Sequence, residues 1–147
     1  MKKEIGLWID HHKAVIVTLT LKGEVTQQIE SDVDRPTRFL AGLPIDCTEE
    51  EIQSKQLEYQ LNEYYQRVVL NIRDAESILI FGPGEAKNEL EKHLIRAGLE
   101  DEIVDIQPDG EMTDRQISAK TRRYFPNNRR TYFNLEEMLA YSSSTDF

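Results

Sequence analysis

The stretch WIDHHKAVIV, residues 8–17, sets Asp10, His11 and His12 side by side between two apolar runs. These side chain types bind metals and move protons. A two-metal hydrolytic centre needs further carboxylates close by, so that two ions can clamp the attacking and leaving oxygens. The next buried run, SILIF at residues 77–81, ends in Phe81-Gly82 without an acid. The nearest one, Glu85, falls in the first turn of a helix, where a carboxylate already stabilises the helix dipole. Adjacent residues on a strand point to opposite faces, so His11 and His12 do not form a ligand pair there. If both lie in the turn they could converge, but no third ligand is evident. The pattern predicts a polar hairpin end, with no metal, no cofactor and no catalytic residue assigned. A metal-dependent hydrolase using Asp10 is the alternative.

Two other stretches could do chemistry. GPGEAK offers Gly82, Gly84 and Lys87 as an anion-binding strand-to-helix turn, with free backbone N–H groups at the helix start. It lacks the full phosphate-loop and dinucleotide patterns, and a tight turn explains it equally well. The second stretch, residues 115–133, contains Arg115, Lys120, Arg122, Arg123, Arg129 and Arg130 and no acid. Tyr124, Phe125, Tyr132 and Phe133 are interleaved with these bases. Single-stranded RNA takes such a surface, because bases stack on aromatic rings while phosphates pair with cations. A solvated helix face with cations near its C-terminal end is the bland alternative. On a helical wheel Ile117, Thr121, Tyr124 and Phe125 share the inward face, leaving Arg115, Lys120, Arg122 and Arg123 towards solvent.

Composition bounds these readings. The 147 residues suit one domain, and the formal charge is −9, from 27 acids against 18 bases. That balance argues against unspecific coating of nucleic acid, since phosphate affinity comes from Lys and Arg. It makes a local basic stripe more informative than the total. No apolar run approaches the roughly 18 residues of a membrane span. The short apolar stretch after the basic start has no small-residue cleavage site, so no signal peptide is expected. A single cysteine, Cys47, excludes an internal disulfide and suits a reducing cytoplasm, the expected location.

The elements that must position these groups follow from periodicity. Ile5, Leu7 and Ile9 alternate with Gly6, Trp8 and Asp10, predicting a strand over 4–9. Strands over 13–21 and 24–30 complete an antiparallel meander, the third more polar and near an edge. Residues 31–48 have no clear period and form a long connection, which marks function or disorder. Thr48 and Glu51 make a capping box for a helix over 49–73. Its buried face carries Leu57, Leu61, Tyr64, Tyr65, Val68, Val69 and Ile72. SILIF reads as a strand covered on both faces. A helix from about Glu85 to Ala97 and a strand over 102–106 then close a right-handed βαβ unit. Thr113 and Gln116 cap a last long helix that ends before Pro126. A short amphipathic segment, NLEEMLAY, precedes a polar tail. The resulting order, β-β-β-α-β-α-β-α, predicts an α/β, ribonuclease H-like fold with a mixed five-stranded sheet. Residues 1–133 are expected to form a single domain, and 134–147 a short helix and tail.

SILIFGPGEAKNELEKHL, IVDIQPDGEMTDRQISAKTRRYF and LWIDHHKAVIV together resemble a family. It is that of small bacterial proteins similar to the central domain of archaeal and eukaryotic class-1 release factors and Pelota. The similarity covers roughly residues 5–125. Its best motifs are Gly82-Pro83-Gly84 with Ala86 and Lys87, and Met112-Thr113-Asp114 with Gln116. The resemblance implies a ribonuclease H-like fold and a connection to ribosomes. It also marks a departure, because release factors place a Gly-Gly-Gln loop where this chain has residues 31–48. That segment has one glycine, Gly42, and no glutamine, so peptide release is not expected. The leading expectation is a non-catalytic protein of the translation machinery that contacts ribosomal or other RNA through the basic helix. A protein-interaction module, with the long connection and the acidic remainder as the surface for a protein partner, is a further alternative.

Overall fold

In the first strand, β1 (Glu4–Ile9), alternation sends Ile5, Leu7 and Ile9 into one hydrophobic cluster and Trp8 into another. All six residues of β1 are buried, as a strand covered on both faces must be. The structure is a computed structural model that describes residues 3–31, 33 and 49–125. Around β1 run β2 (Lys13–Thr20), β3 (Gly23–Glu30), β4 (Ser77–Gly82) and β5 (Ile103–Pro108). The sheet order is β3-β2-β1-β4-β5. β1 pairs antiparallel with β2, from Glu4↔Leu19 to Ile9↔Ala14, and parallel with β4, from Glu4↔Ser77 to Trp8↔Phe81. β5 adds in parallel beyond β4, with a register irregularity at Ile78/Leu79. This is the mixed five-stranded, ribonuclease H-like arrangement expected from the element order.

Helices cover both faces. On one side α1 (Glu49–Ile72) and α2 (Ala86–Arg96) pack Tyr64, Tyr65, Val68, Ile72, Leu90 and Leu94 against Ile5, Leu7, Ile16, Ile78 and Ile80. On the other, α3 (Asp114–Tyr124) and the residue after it bring Ile117 and Phe125 onto Trp8, Val15, Val17, Leu79 and Phe81. The expected face of α1 is largely the buried one. Leu57 departs from it: it is 46% exposed and lines an open groove between α1 and α2 with Leu61, Tyr65 and His93.

Boundaries differ by one or two residues. A 3-10 turn over Glu100–Glu102 delays the start of β5 to Ile103. The polar third strand is an edge, with Val25 63% exposed. The Thr113–Gln116 capping box is present, each side chain bonding the other's backbone N–H. Thr48, the connection over 34–48, NLEEMLAY and the 134–147 tail lie outside the described residues.

Candidate nucleic-acid interface on the third helix

α3 docks at a place prepared for it. A Cβ built on Gly6 in β1 would lie 1.8 Å from Thr121 Oγ1 and 2.6 Å from Thr121 Cβ. Only a residue without a side chain lets the helix approach the central strand so closely. Thr121 itself is fully buried, and its hydroxyl donates to the Ile117 carbonyl at 2.8 Å. The segment leading into α3 is pinned as well. Trp8 Nε1 donates to the Gly110 carbonyl at 3.0 Å, and the Asp109 N–H donates to the Gly82 carbonyl at 3.1 Å.

The bases of α3 divide into two groups. Lys120 Nζ lies 2.5 Å from Asp109 Oδ2 and 4.9 Å from the centroid of the Phe81 ring. Arg122 Nη1 donates to Glu24 Oε1 at 2.7 Å, and Ser118 Oγ donates to the other oxygen of the same carboxylate at 2.8 Å. Arg122 therefore clamps α3 to the edge strand and does not stand free in solvent as the helical wheel predicts. Lys120 is likewise committed, to the start of the 109–113 segment. Arg115 and Arg123 are exposed and, among the described residues, have no hydrogen bond or ion pair. Arg129 and Arg130 lie outside the described residues, as do Tyr132 and Phe133.

Tyr124 also corrects the wheel: it is 38% exposed, whereas Phe125 is buried. The inward arc is centred on Ile117, Ser118, Thr121 and Phe125. At about 100° per residue Tyr124 falls on the flank of that arc. Its ring meets Phe125 edge-on, with centroids 5.0 Å apart and planes at 73°. Beside it, α3 and the 109–113 segment enclose an open cleft of about 670 Å³ lined by Glu111, Met112, Gln116, Lys120, Arg123 and Tyr124 among others. Sequence reasoning missed the acids Asp109 and Glu24 as partners of the basic helix. No local signal marks them, since they come from the end of β5 and from β3.

The other two candidate sites are occupied by the fold itself. Asp10 Oδ1 accepts from the N–H groups of His12 and Lys13, each at 2.8 Å, and thereby shapes the hairpin turn. Its carbonyl accepts from the Tyr64 hydroxyl at 2.9 Å. His11 Nε2 approaches Glu89 Oε1 to 3.3 Å without hydrogen-bond geometry, while the Tyr65 hydroxyl donates to that oxygen at 2.5 Å. Burial, and for Tyr65 next the bond to Glu89, hold both phenols protonated well above their usual range. Among the described residues no three His, Cys, Asp or Glu side chains are grouped to hold a metal.

At the strand-to-helix turn Gly84 has φ +66° and Gly82 has φ +148°. A Cβ on Gly82 would lie 2.2 Å from the Ile9 carbonyl oxygen, so this glycine serves the close approach of β4 to β1. Lys87 Nζ bonds back to the Gly84 carbonyl, and the N–H groups of Asn88 and Glu89 are taken by the Glu85 carbonyl at 3.0 Å. With Glu89 also in the first turn, the local charge opposes an anion there.

The α/β class defined by this sheet has counterparts among solved structures. The Pelota protein of Thermoplasma acidophilum superposes with a TM-score of 0.51 at 14% identity, over 86% of this chain and 32% of that one. The Pelota protein of Archaeoglobus fulgidus gives 0.53 at 14%, over 97% and 36%. An archaeal translation termination factor gives 0.52 at 12%, over 97% and 42%. The chain thus spans about a third to two fifths of these proteins and resembles their central domain in fold. No family model and no curated protein matches it.

Proposed function

We propose that the protein is a non-catalytic component of the translation machinery that contacts ribosomal or other RNA through α3. The observation that supports it most is the division of labour on that helix. Lys120 and Arg122 anchor it to Asp109 and Glu24, while Arg115 and Arg123 stay exposed and, among the described residues, unpaired, with Arg123 next to the exposed Tyr124. Bases needed only for docking would all be paired. The fold shared with Pelota and a translation termination factor agrees with this reading. The hydrolase alternative loses support because the Asp10 carboxylate serves the turn. Sedimentation with ribosomes at low and high salt tests the proposal. Wild type is expected to co-sediment at low salt and to be released at high salt. The Arg115→Glu, Arg123→Glu double variant should stay in the supernatant at both. Equal sedimentation of the two proteins would refute the assignment.

A further inference from the structure

We infer that the cleft beside α3 holds one unpaired, amino-bearing base of single-stranded RNA, stacked on Tyr124 with its phosphate on Arg123. This rests on the RNA reading above and gives it a site and a preference. The cleft, about 670 Å³, lies within the roughly 300–1,000 Å³ that small-molecule sites occupy. Its walls are fixed: Trp8 and Gly82 hold the 109–113 segment, and the Lys120–Asp109 pair ties that segment to the helix. Tyr124 presents a ring that its edge-on contact with buried Phe125 orients. Such an exposed, oriented aromatic is what base stacking uses.

Charge then sets the polarity of the ligand. Glu111 lines the same cleft, is exposed and has no partner among the described residues. A carboxylate only accepts hydrogen bonds. It repels a phosphate and the carbonyl oxygens of a base, and it accepts from an exocyclic amino group. The phosphate therefore goes to Arg123, which lines the cleft next to Tyr124 and has no partner among the described residues. Lys120 does not compete for it, being neutralised by Asp109. Cytosine offers N4–H₂ where uracil offers a carbonyl, so the two pyrimidines separate this contact from stacking.

The test is fluorescence anisotropy with labelled hexamers of cytidine and of uridine at one fixed low salt concentration. Wild type should bind the cytidine hexamer about tenfold more tightly, the worth of one charge-assisted hydrogen bond. Tyr124→Ala should weaken binding to both by about tenfold, and Tyr124→Phe should restore it, because the ring and not the hydroxyl is used. Glu111→Gln, which can donate as well as accept, should erase the cytidine preference. The urea midpoint of Glu111→Gln should not change, since that side chain is exposed, nor should that of Tyr124→Phe, which keeps the ring contact with Phe125. Tyr124→Ala binding like wild type, or no difference between the hexamers, would overturn the site. The RNA reading survives that result if Arg115→Glu, Arg123→Glu still abolishes binding. Ribosome association without any binding to the hexamers would overturn the site too and point to a ribosomal protein surface.

Discussion

Asp10 illustrates how one carboxylate can be read in two ways from its neighbours. Beside two histidines it suggests metal chemistry, yet its Oδ1 accepts two backbone N–H groups of its own turn. Asn supplies an equivalent carbonyl for such an Asx-type turn, and Ala supplies nothing. Asp10→Ala should therefore lower stability by about 1 kcal/mol, while Asp10→Asn should unfold at nearly the wild-type urea concentration. Parallel losses in both variants would mean that the charge matters rather than the acceptor. A second residue-level expectation concerns His93 on α2, whose ring lies 5.2 Å from that of Tyr65. Burial first, then Arg96, push its imidazole below the ordinary range, against an opposing pull from Glu89. The unfolded chain then takes up the proton first as pH falls. The stability tied to a neutral His93 is complete above about pH 6.5, the ordinary histidine value, and is lost as pH drops through the lower folded value. Urea midpoints measured from pH 8 to pH 5 should fall less for His93→Gln than for wild type.

At the scale of elements, the placement of α3 depends on one missing side chain. Gly6→Ala would put a methyl 1.8 Å from Thr121 Oγ1 and 2.6 Å from its Cβ, so the helix must move outward. Overpacking of this kind costs about 1–3 kcal/mol. Adding Thr121→Ala should not rescue it, because the Cβ remains in the way. Thermal unfolding of the single and double variants decides this, and full recovery in the double variant would contradict the geometry. The same contact shows what sequence can and cannot convey. β1, β4 and the Leu61/Tyr65/Val68 face of α1 are readable because periodicity of two or 3.6 is a local property. The Thr113 cap is readable because its partner is three residues away. Gly6 against Thr121 and Glu24 with Arg122 join residues far apart in the chain. Lys120 with Asp109 depends on how the 109–113 segment turns. Thus the helix and its charges were legible, but the division into anchoring and free bases was not. Tyr124 was misplaced because a wheel fixes relative angles and leaves the centre of the buried arc to tertiary packing.

For the whole molecule, the question is how a chain with net charge −9 could hold a polyanion. Net repulsion raises the electrostatic cost, so binding must depend on a few close phosphate contacts and must be sensitive to salt. Each single-strand phosphate contact contributes about −0.7 to the slope of log K against log salt. Arg115 and Arg123 alone give roughly −1.4, and Arg129 and Arg130 from the same acid-free stretch would bring it to roughly −3. A slope near −3 that falls to about half in Arg115→Gln, Arg123→Gln, which removes the two charges without adding repulsion, assigns two contacts to α3 and two to the residues after it. A slope near −1.4 that vanishes in the same variant confines the contact to α3. Lys120→Glu and Arg122→Glu should behave differently. Each places a carboxylate against Asp109 or Glu24, so the loss should appear first as a lower unfolding midpoint in the absence of RNA. Wild-type stability in those two variants, combined with lost RNA binding, would show that the ion pairs open to engage phosphate. The anchoring role assigned to Lys120 and Arg122 would then be wrong.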